Sequence, residues 1–122
     1  MVVGNVPTAV DLVVVGGGPG GYAAALHAAH LGRQVLLVDA DGDEGLGGVC
    51  LRVGCIPSKA MIEAADLHHR IPHAKAMGVR AERGAFDMAQ FQIWKAKKVG
   101  GLTSGVRGLL KAANVSVKRG HL

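Results

Sequence analysis

Two cysteines, Cys50 and Cys55, stand five residues apart between the glycine pair Gly47-Gly48 and Pro57, and thiols so spaced are candidates for dithiol–disulfide chemistry. On an ideal α-helix, residues i and i+5 have Cα atoms about 8.7 Å apart, whereas a disulfide needs roughly 4.4 to 6.8 Å. The pair can therefore close only if the chain bends between them. Gly54, without a Cβ, can supply that bend, and Pro57 suits the first turn of a helix that follows. Cys55 is then expected at a helix N-terminus, where unpaired N–H groups and the helix dipole favour thiolate over thiol. Spacing alone leaves a second reading open, two small thiols buried in an ordinary core. Met1 to Thr8 contains no basic region of the kind that opens a secretory signal, and glycines interrupt the apolar stretch behind it. A reactive pair in a reducing compartment is thus expected in preference to a structural disulfide.

The residues that must position such a pair begin with Asp11-Leu12-Val13-Val14-Val15, an apolar run rich in β-branched residues that suits a strand buried on both faces of a parallel sheet. Gly16, Gly18 and Gly21 follow at the G-x-G-x-x-G positions, with Pro19 and Gly20 between the last two. Gly16 serves the tight turn, Gly18 the approach of a pyrophosphate to backbone, and Gly21 the packing of helix on strand. Tyr22 to Leu31 is alanine-rich and stops at Gly32, reading as a helix whose N-terminal N–H groups face the phosphates. A second buried strand, Val35 to Val38, ends in Asp39, which lies 21 residues beyond Gly18. That is close to the roughly 20 expected for a ribose-binding carboxylate. Strand, glycine turn, helix and acid together predict an α/β fold, a Rossmann-like dinucleotide-binding domain with a parallel sheet and flanking helices.

The combination resembles the flavin disulfide reductases, and within them the dihydrolipoyl dehydrogenase branch. The residues that carry the likeness are Val14 to Tyr22, Gly47-Gly48-Val49-Cys50-Leu51 and, most specifically, Gly54-Cys55-Ile56-Pro57-Ser58-Lys59. Ser58 before Lys59 leans toward the lipoamide branch over glutathione reductases; mercuric reductase shares more of the pattern and stays as an alternative. The stretch around Trp94, Lys95, Leu102-Thr103, Gly105-Val106 and Leu109 to Lys111 also looks like the lipoamide branch. The resemblance implies that residues 1–122 are the N-terminal portion of an FAD-binding domain, with the NAD-binding and dimerisation domains and a C-terminal His-Glu base pair outside them. A truncated, non-catalytic dinucleotide-binding module is the alternative from outside the enzymes.

As the resemblance has it, a lipoyl-bearing protein of a 2-oxoacid dehydrogenase or glycine-cleavage complex supplies a dithiol, which attacks Cys50. Cys55 leaves as a thiolate beside the flavin, Lys59 lies near the flavin's reactive nitrogen, and electrons pass through FAD to NAD⁺ in a homodimeric parent enzyme. FAD contacts are implied for Gly16, Gly18, Pro19, Gly20, Gly21, Asp39, Gly48, Val49, Cys50, Lys59, Gly120 and His121. Four departures from the family pattern stand out. Asp39 replaces a commoner glutamate, and Arg52 a common asparagine, placing a positive charge between the cysteines where it would favour thiolate. The loop Ala40 to Leu46 is long and acidic, and Leu122 stands where glycine is frequent.

The formal net charge of +5 comes from scattered basic residues, and four aromatics accompany them (one Trp, one Tyr, two Phe), so no nucleic-acid surface is expected. No apolar stretch reaches the roughly 18 residues of a membrane span, and a cytoplasmic protein is expected. His27 with His30, and His68, His69 and His73, lack the companions of a recognisable ligand spacing and are expected to be solvated, with no metal. Beyond Lys59 a helix is expected to end at Ile71-Pro72, and Lys75 to Ala85 to connect onward with an extended piece at Val79. Asp87 with Gln90 reads as a capping box for a helix from Met88 to Ala113. Phe91, Trp94, Lys98, Leu102, Val106, Leu109 and Leu110 would lie along one side of it, and its glycines could break it. Trp94 is expected to fill core or interface. Val115 to Val117 reads as a third strand, stopping near Gly120.

Overall fold

The computed structural model describes residues 9–122; the secretory-signal reading of Met1 to Thr8 falls outside them. Three strands, β1 (Leu12–Val15), β2 (Val35–Asp39) and β3 (Ser116–Arg119), form a parallel sheet in the order β1-β2-β3. Leu12 lies opposite Val35, and Leu36 opposite Ser116. Between β1 and β2 runs α1 (Pro19–His30); between β2 and β3 come α2 (Gly48–Arg52), α3 (Cys55–Arg70) and the long α4 (Met88–Ala112). Parallel neighbours require such crossovers, and this is the expected α/β arrangement.

The central strand collects the core. Val35, Leu37 and Val38 are buried, and they pack with Ala25 of α1, Leu46, Leu51 of α2, Val106 and Leu110 of α4, and Val115. Ala25, Leu37 and Leu46 are wholly shielded. The double burial expected of β1 is not observed: Val13 is 45% and Val15 63% exposed. β1 is an edge strand here, and among the described residues nothing pairs with its outer side, so a sequence suited to burial stands half open.

Helix boundaries follow local chemistry. α1 starts earlier than the alanine-rich run, because Pro19 at its first turn is pre-set for helix and Gly18 is its N-cap. Asp87 caps α4, its Oδ1 accepting the Gln90 N–H at 2.9 Å. α4 then runs 25 residues unbroken through its glycines. Its core face is narrower than the periodicity suggests: Phe91, Val106 and Leu110 are buried, whereas Leu102 and Leu109 are exposed and Trp94 is 38% exposed. Trp94 instead lines a shallow groove of about 480 Å³ with Leu67, Phe86 and Phe91. α3 passes at Ile71 into a 3-10 helix ending at Met77, and Val79 belongs to no strand. His68 fastens the following segment, its Nε2 2.9 Å from the Gly84 carbonyl oxygen and its ring edge-on to Phe86. No helix of the described residues is long and apolar enough to cross a membrane.

Adjacent leucines of α4 separate core from surface. Leu110→Ala should cost about 2–5 kcal/mol of unfolding free energy. Leu109→Ala should stay within about 0.5 kcal/mol. Both are read from urea midpoints at constant slope.

Candidate functional site

The glycine turn after β1 is shaped by contacts that only glycine permits. Gly16 has φ +94°, and its N–H donates to the Val38 carbonyl at 2.7 Å, tying the turn to the end of β2. A Cβ on Gly21 would run into the Gly16 carbonyl and reach Val14 Cγ1 at 3.6 Å, so this glycine lets α1 seat on the turn. A Cβ on Gly18 would meet nothing within 4 Å, nor would one on Gly20. The backbone there faces open space at a helix start whose first N–H groups lack intrahelical partners.

Gly17, which the motif leaves free, is bonded through both its N–H and its carbonyl to distant segments. Its N–H donates to Asp39 Oδ2 at 2.7 Å, and its carbonyl accepts the Gly47 N–H at 2.8 Å. Asp39 Oδ1 accepts the Asp41 N–H at 2.9 Å, and Gly45 packs against the same carboxylate so closely that a Cβ there would overlap it. The acid is thus held by backbone donors at the C-terminal end of β2, half-buried. Gly120 joins the same end: its N–H donates to the Asp39 carbonyl at 2.9 Å, and Val38 leaves its Cα little room. His121 lies beyond, exposed.

The cysteine motif is docked on this turn. Gly48, at φ +59°, approaches Gly18 so closely that a Cβ would lie 2.7 Å from the Gly18 Cα. Gly47 before it, in the left-handed region at φ +91°, is the N-cap of α2. Val49 is 75% exposed and Cys50 half-buried. The chain bends at Val53-Gly54, as the thiol spacing demands. Gly54 has a negative φ of −107° with ψ −97°; a Cβ there would lie 3.2 Å from the Val49 carbonyl oxygen, so the glycine is needed for close approach to α2. Cys55 is then the first residue of α3, and Pro57 falls in that helix's first turn.

The bend brings the two sulfurs together as free thiols. The Cys55 side chain is the chief cause of a raised Cys50 pKa; burial and the charge of Cys55 push the same way. The Cys55 backbone N–H and the Lys59 ammonium pull it down. Lys59 therefore acts on the dithiol from the next turn of α3. Arg52 does not have the place expected for it: its guanidinium pairs with Asp41, Nη1 to Oδ2 3.1 Å, and its charge is directed to the acidic loop. Exposure orders the thiols with Cys55 the more open. His69 and His73 face each other with ring centroids 5.3 Å apart; among the described residues no three His, Cys, Asp or Glu side chains are grouped to hold a metal.

A nucleotide-type glycine turn with a vicinal thiol pair docked on it defines a class, and sequence comparison agrees. Residues 10–122 match the pyridine nucleotide-disulphide oxidoreductase family, and the chain belongs to that family. Among its relatives are the dihydrolipoyl dehydrogenases of Geobacillus stearothermophilus, 48% identical over 99% of this chain, and of Bacillus subtilis, 49% identical over the same share. The chain spans 25% of the length of each. The crystal structure of LpdA from Mycobacterium tuberculosis superposes with a TM-score of 0.75 at 28% identity, over 85% of this chain and 22% of that one.

Of the residues singled out by sequence, Gly16, Gly18, Pro19, Gly20, Gly21, Asp39, Gly48, Val49, Cys50, Cys55 and Lys59 occupy one continuous region. Gly120 reaches it through Asp39, and His121 follows Gly120 without a hydrogen bond of its own to the site. Gly17, Gly45 and Asp41 escape the motif reading; the triple glycine Gly16-Gly17-Gly18 and the acid-glycine alternation of residues 41–45 are the signals that could have found them.

The thiol contacts predict a titration order. In the dithiol form Cys50 keeps its proton above the ordinary thiol range of about 8.5, so its alkylation should be slow at neutral pH and accelerate only at more alkaline pH. Cys55→Ala removes the chief cause and should move the Cys50 alkylation midpoint to lower pH, as read by peptide mass spectrometry.

Proposed function

We propose that this chain is the cofactor-cradling and thiol-bearing portion of a dihydrolipoyl dehydrogenase, and one observation carries the reading: the close approach of Gly48 to Gly18, which joins the thiol motif to the nucleotide turn. The residues fit an FAD pyrophosphate. Gly18 and Gly20 leave room at the start of α1, the free N–H groups and the helix dipole favour phosphate there, and Gly48 lines the other side. Asp39 has its carboxylate at the strand end suited to the adenosine ribose, Gly120 and His121 lie on that side, and Lys59 stands beside the thiols. When bound, FAD supplies a two-electron acceptor that returns hydride to NAD⁺.

The chain's own chemistry is thiol–disulfide exchange. A thiolate of a dihydrolipoyl group on a partner protein attacks Cys50 Sγ of the Cys50–Cys55 disulfide. A mixed disulfide forms, and Cys55, the first residue of α3, leaves as a thiolate. The second substrate thiol, once deprotonated, displaces Cys50 and closes the oxidised lipoyl ring. The proton it gives up is matched by the one Cys50 gains, and the chain is left with the electron pair as a Cys50 thiol and a Cys55 thiolate. Lys59 holds positive charge near the Cys50 sulfur throughout. Dimerisation and NAD⁺ coupling belong to the parent enzyme.

Gly18→Ala separates binding from folding, because its Cβ meets no protein atom while it occupies the phosphate side of the turn. It should cost about 1 kcal/mol or less in stability and weaken FAD binding at least about tenfold, measured by flavin fluorescence. Equal affinity in the variant would count against the site. These 122 residues alone should form no NADH from dihydrolipoamide; a coupled absorbance assay checks this.

A further inference from the structure

Three arginines from three elements converge on the acidic loop after β2. Arg119 donates from Nε to the Ala40 carbonyl at 3.0 Å, and Arg107 donates to the Asp43 carbonyl at 3.1 Å. Arg52 pairs with the Asp41 carboxylate at 3.1 Å. The third differs from the others, because it joins the loop to the short helix that carries Cys50. Following the bonds outward from Asp41 gives a closed circuit. Asp41 N–H holds Asp39 Oδ1, Asp39 Oδ2 holds the Gly17 N–H, the Gly17 carbonyl holds Gly47, and Gly47 caps α2. Arg52, at the end of α2, returns to Asp41.

We propose that Arg52–Asp41 is a positioning pair that couples the oxidation state of Cys50 and Cys55 to the carboxylate of Asp39, and through it to cofactor affinity. The inference rests on the function proposed above. Disulfide formation draws Cys50 toward Cys55 and moves α2 against the start of α3. The ion pair transmits that displacement to Asp41, whose N–H holds Asp39, and Asp39 passes it to the Gly17 N–H. Both ends of the pair are partly exposed, so the coupling is modest, in the range of surface pairs. Linkage makes it reciprocal: a cofactor that binds one thiol state better also favours that state.

The test compares FAD affinity of the disulfide form, made with oxidised glutathione, and the dithiol form. It is run on the wild-type chain, R52A, D41A, the double variant and the charge-swapped R52D/D41R. The wild-type affinities should differ about two- to fivefold between the two states. Each single variant should bring the ratio to near one, the double should match the singles, and the swap should restore a ratio above one. A ratio unchanged by R52A, or single effects that add in the double, overturns the coupling. Amide exchange of Gly17 and Asp41, followed by NMR without flavin, gives an independent readout. It should differ between thiol states in the wild type and not in R52A, and equal exchange in the two wild-type states also overturns the proposal. Failure of the wild-type chain to bind FAD in either state would instead sink the cofactor reading, and the exchange measurement alone would then decide the pair.

Discussion

The backbone of Gly17 is the constraint on which the site depends. Its N–H is taken by Asp39 at the end of β2 and its carbonyl by Gly47 at the start of the thiol motif. One residue thereby holds the nucleotide turn, the acid and the cysteine helix in a fixed relation. A side chain there would lie about 3.1 Å from Leu46 and 3.2 Å from the Asp39 carboxylate, so Leu46 and Asp39 would have to give way by a few tenths of an ångström to admit one. Leu46, wholly buried beneath, anchors the same junction to the core. Fully satisfied polar contacts in a half-buried setting are stronger than in water and resist rearrangement.

From that junction the thiols follow. α2 is five residues long, too short to be stable as an isolated helix, and is held by Leu51 in the core and by its N-terminal link to Gly17. The bend at Gly54 then starts α3 at Cys55, so that the second sulfur gains the N-terminal end of a 16-residue helix. The Cys55 side chain and the opposing pull of Lys59 act on Cys50, which keeps its proton the more firmly, while Cys55 is the more exposed sulfur. This is the division that thiol–disulfide exchange needs between an attacked sulfur and a leaving one.

Much of this architecture is legible in the amino-acid sequence. The β-branched runs mark β1 and β2, the glycine spacing marks the turn, and i, i+5 geometry requires a bend that Gly54 supplies. What escapes is long-range. Burial of β1 depends on what covers it, which periodicity does not encode, and Val15 stands open for that reason. Which leucines of α4 face inward depends on where α1 and the sheet lie, so periodicity does not tell Leu109 from Leu110. Arg52 reads by its neighbours in sequence as a companion of the cysteines, yet its partner Asp41 comes from the loop after β2. Gly17 hides behind the motif glycines because its role lies in two backbone bonds to distant segments.

Thiol–disulfide exchange at this site requires the two sulfurs to lie within bonding reach of each other in this chain. Reduced protein equilibrated with oxidised glutathione and then mapped by peptide mass spectrometry tests this most directly. The expected product is an intramolecular Cys50–Cys55 disulfide, with loss of two hydrogen atoms and no retained glutathione. Stable glutathione adducts on both cysteines, or disulfides between chains in place of the internal one, would contradict it.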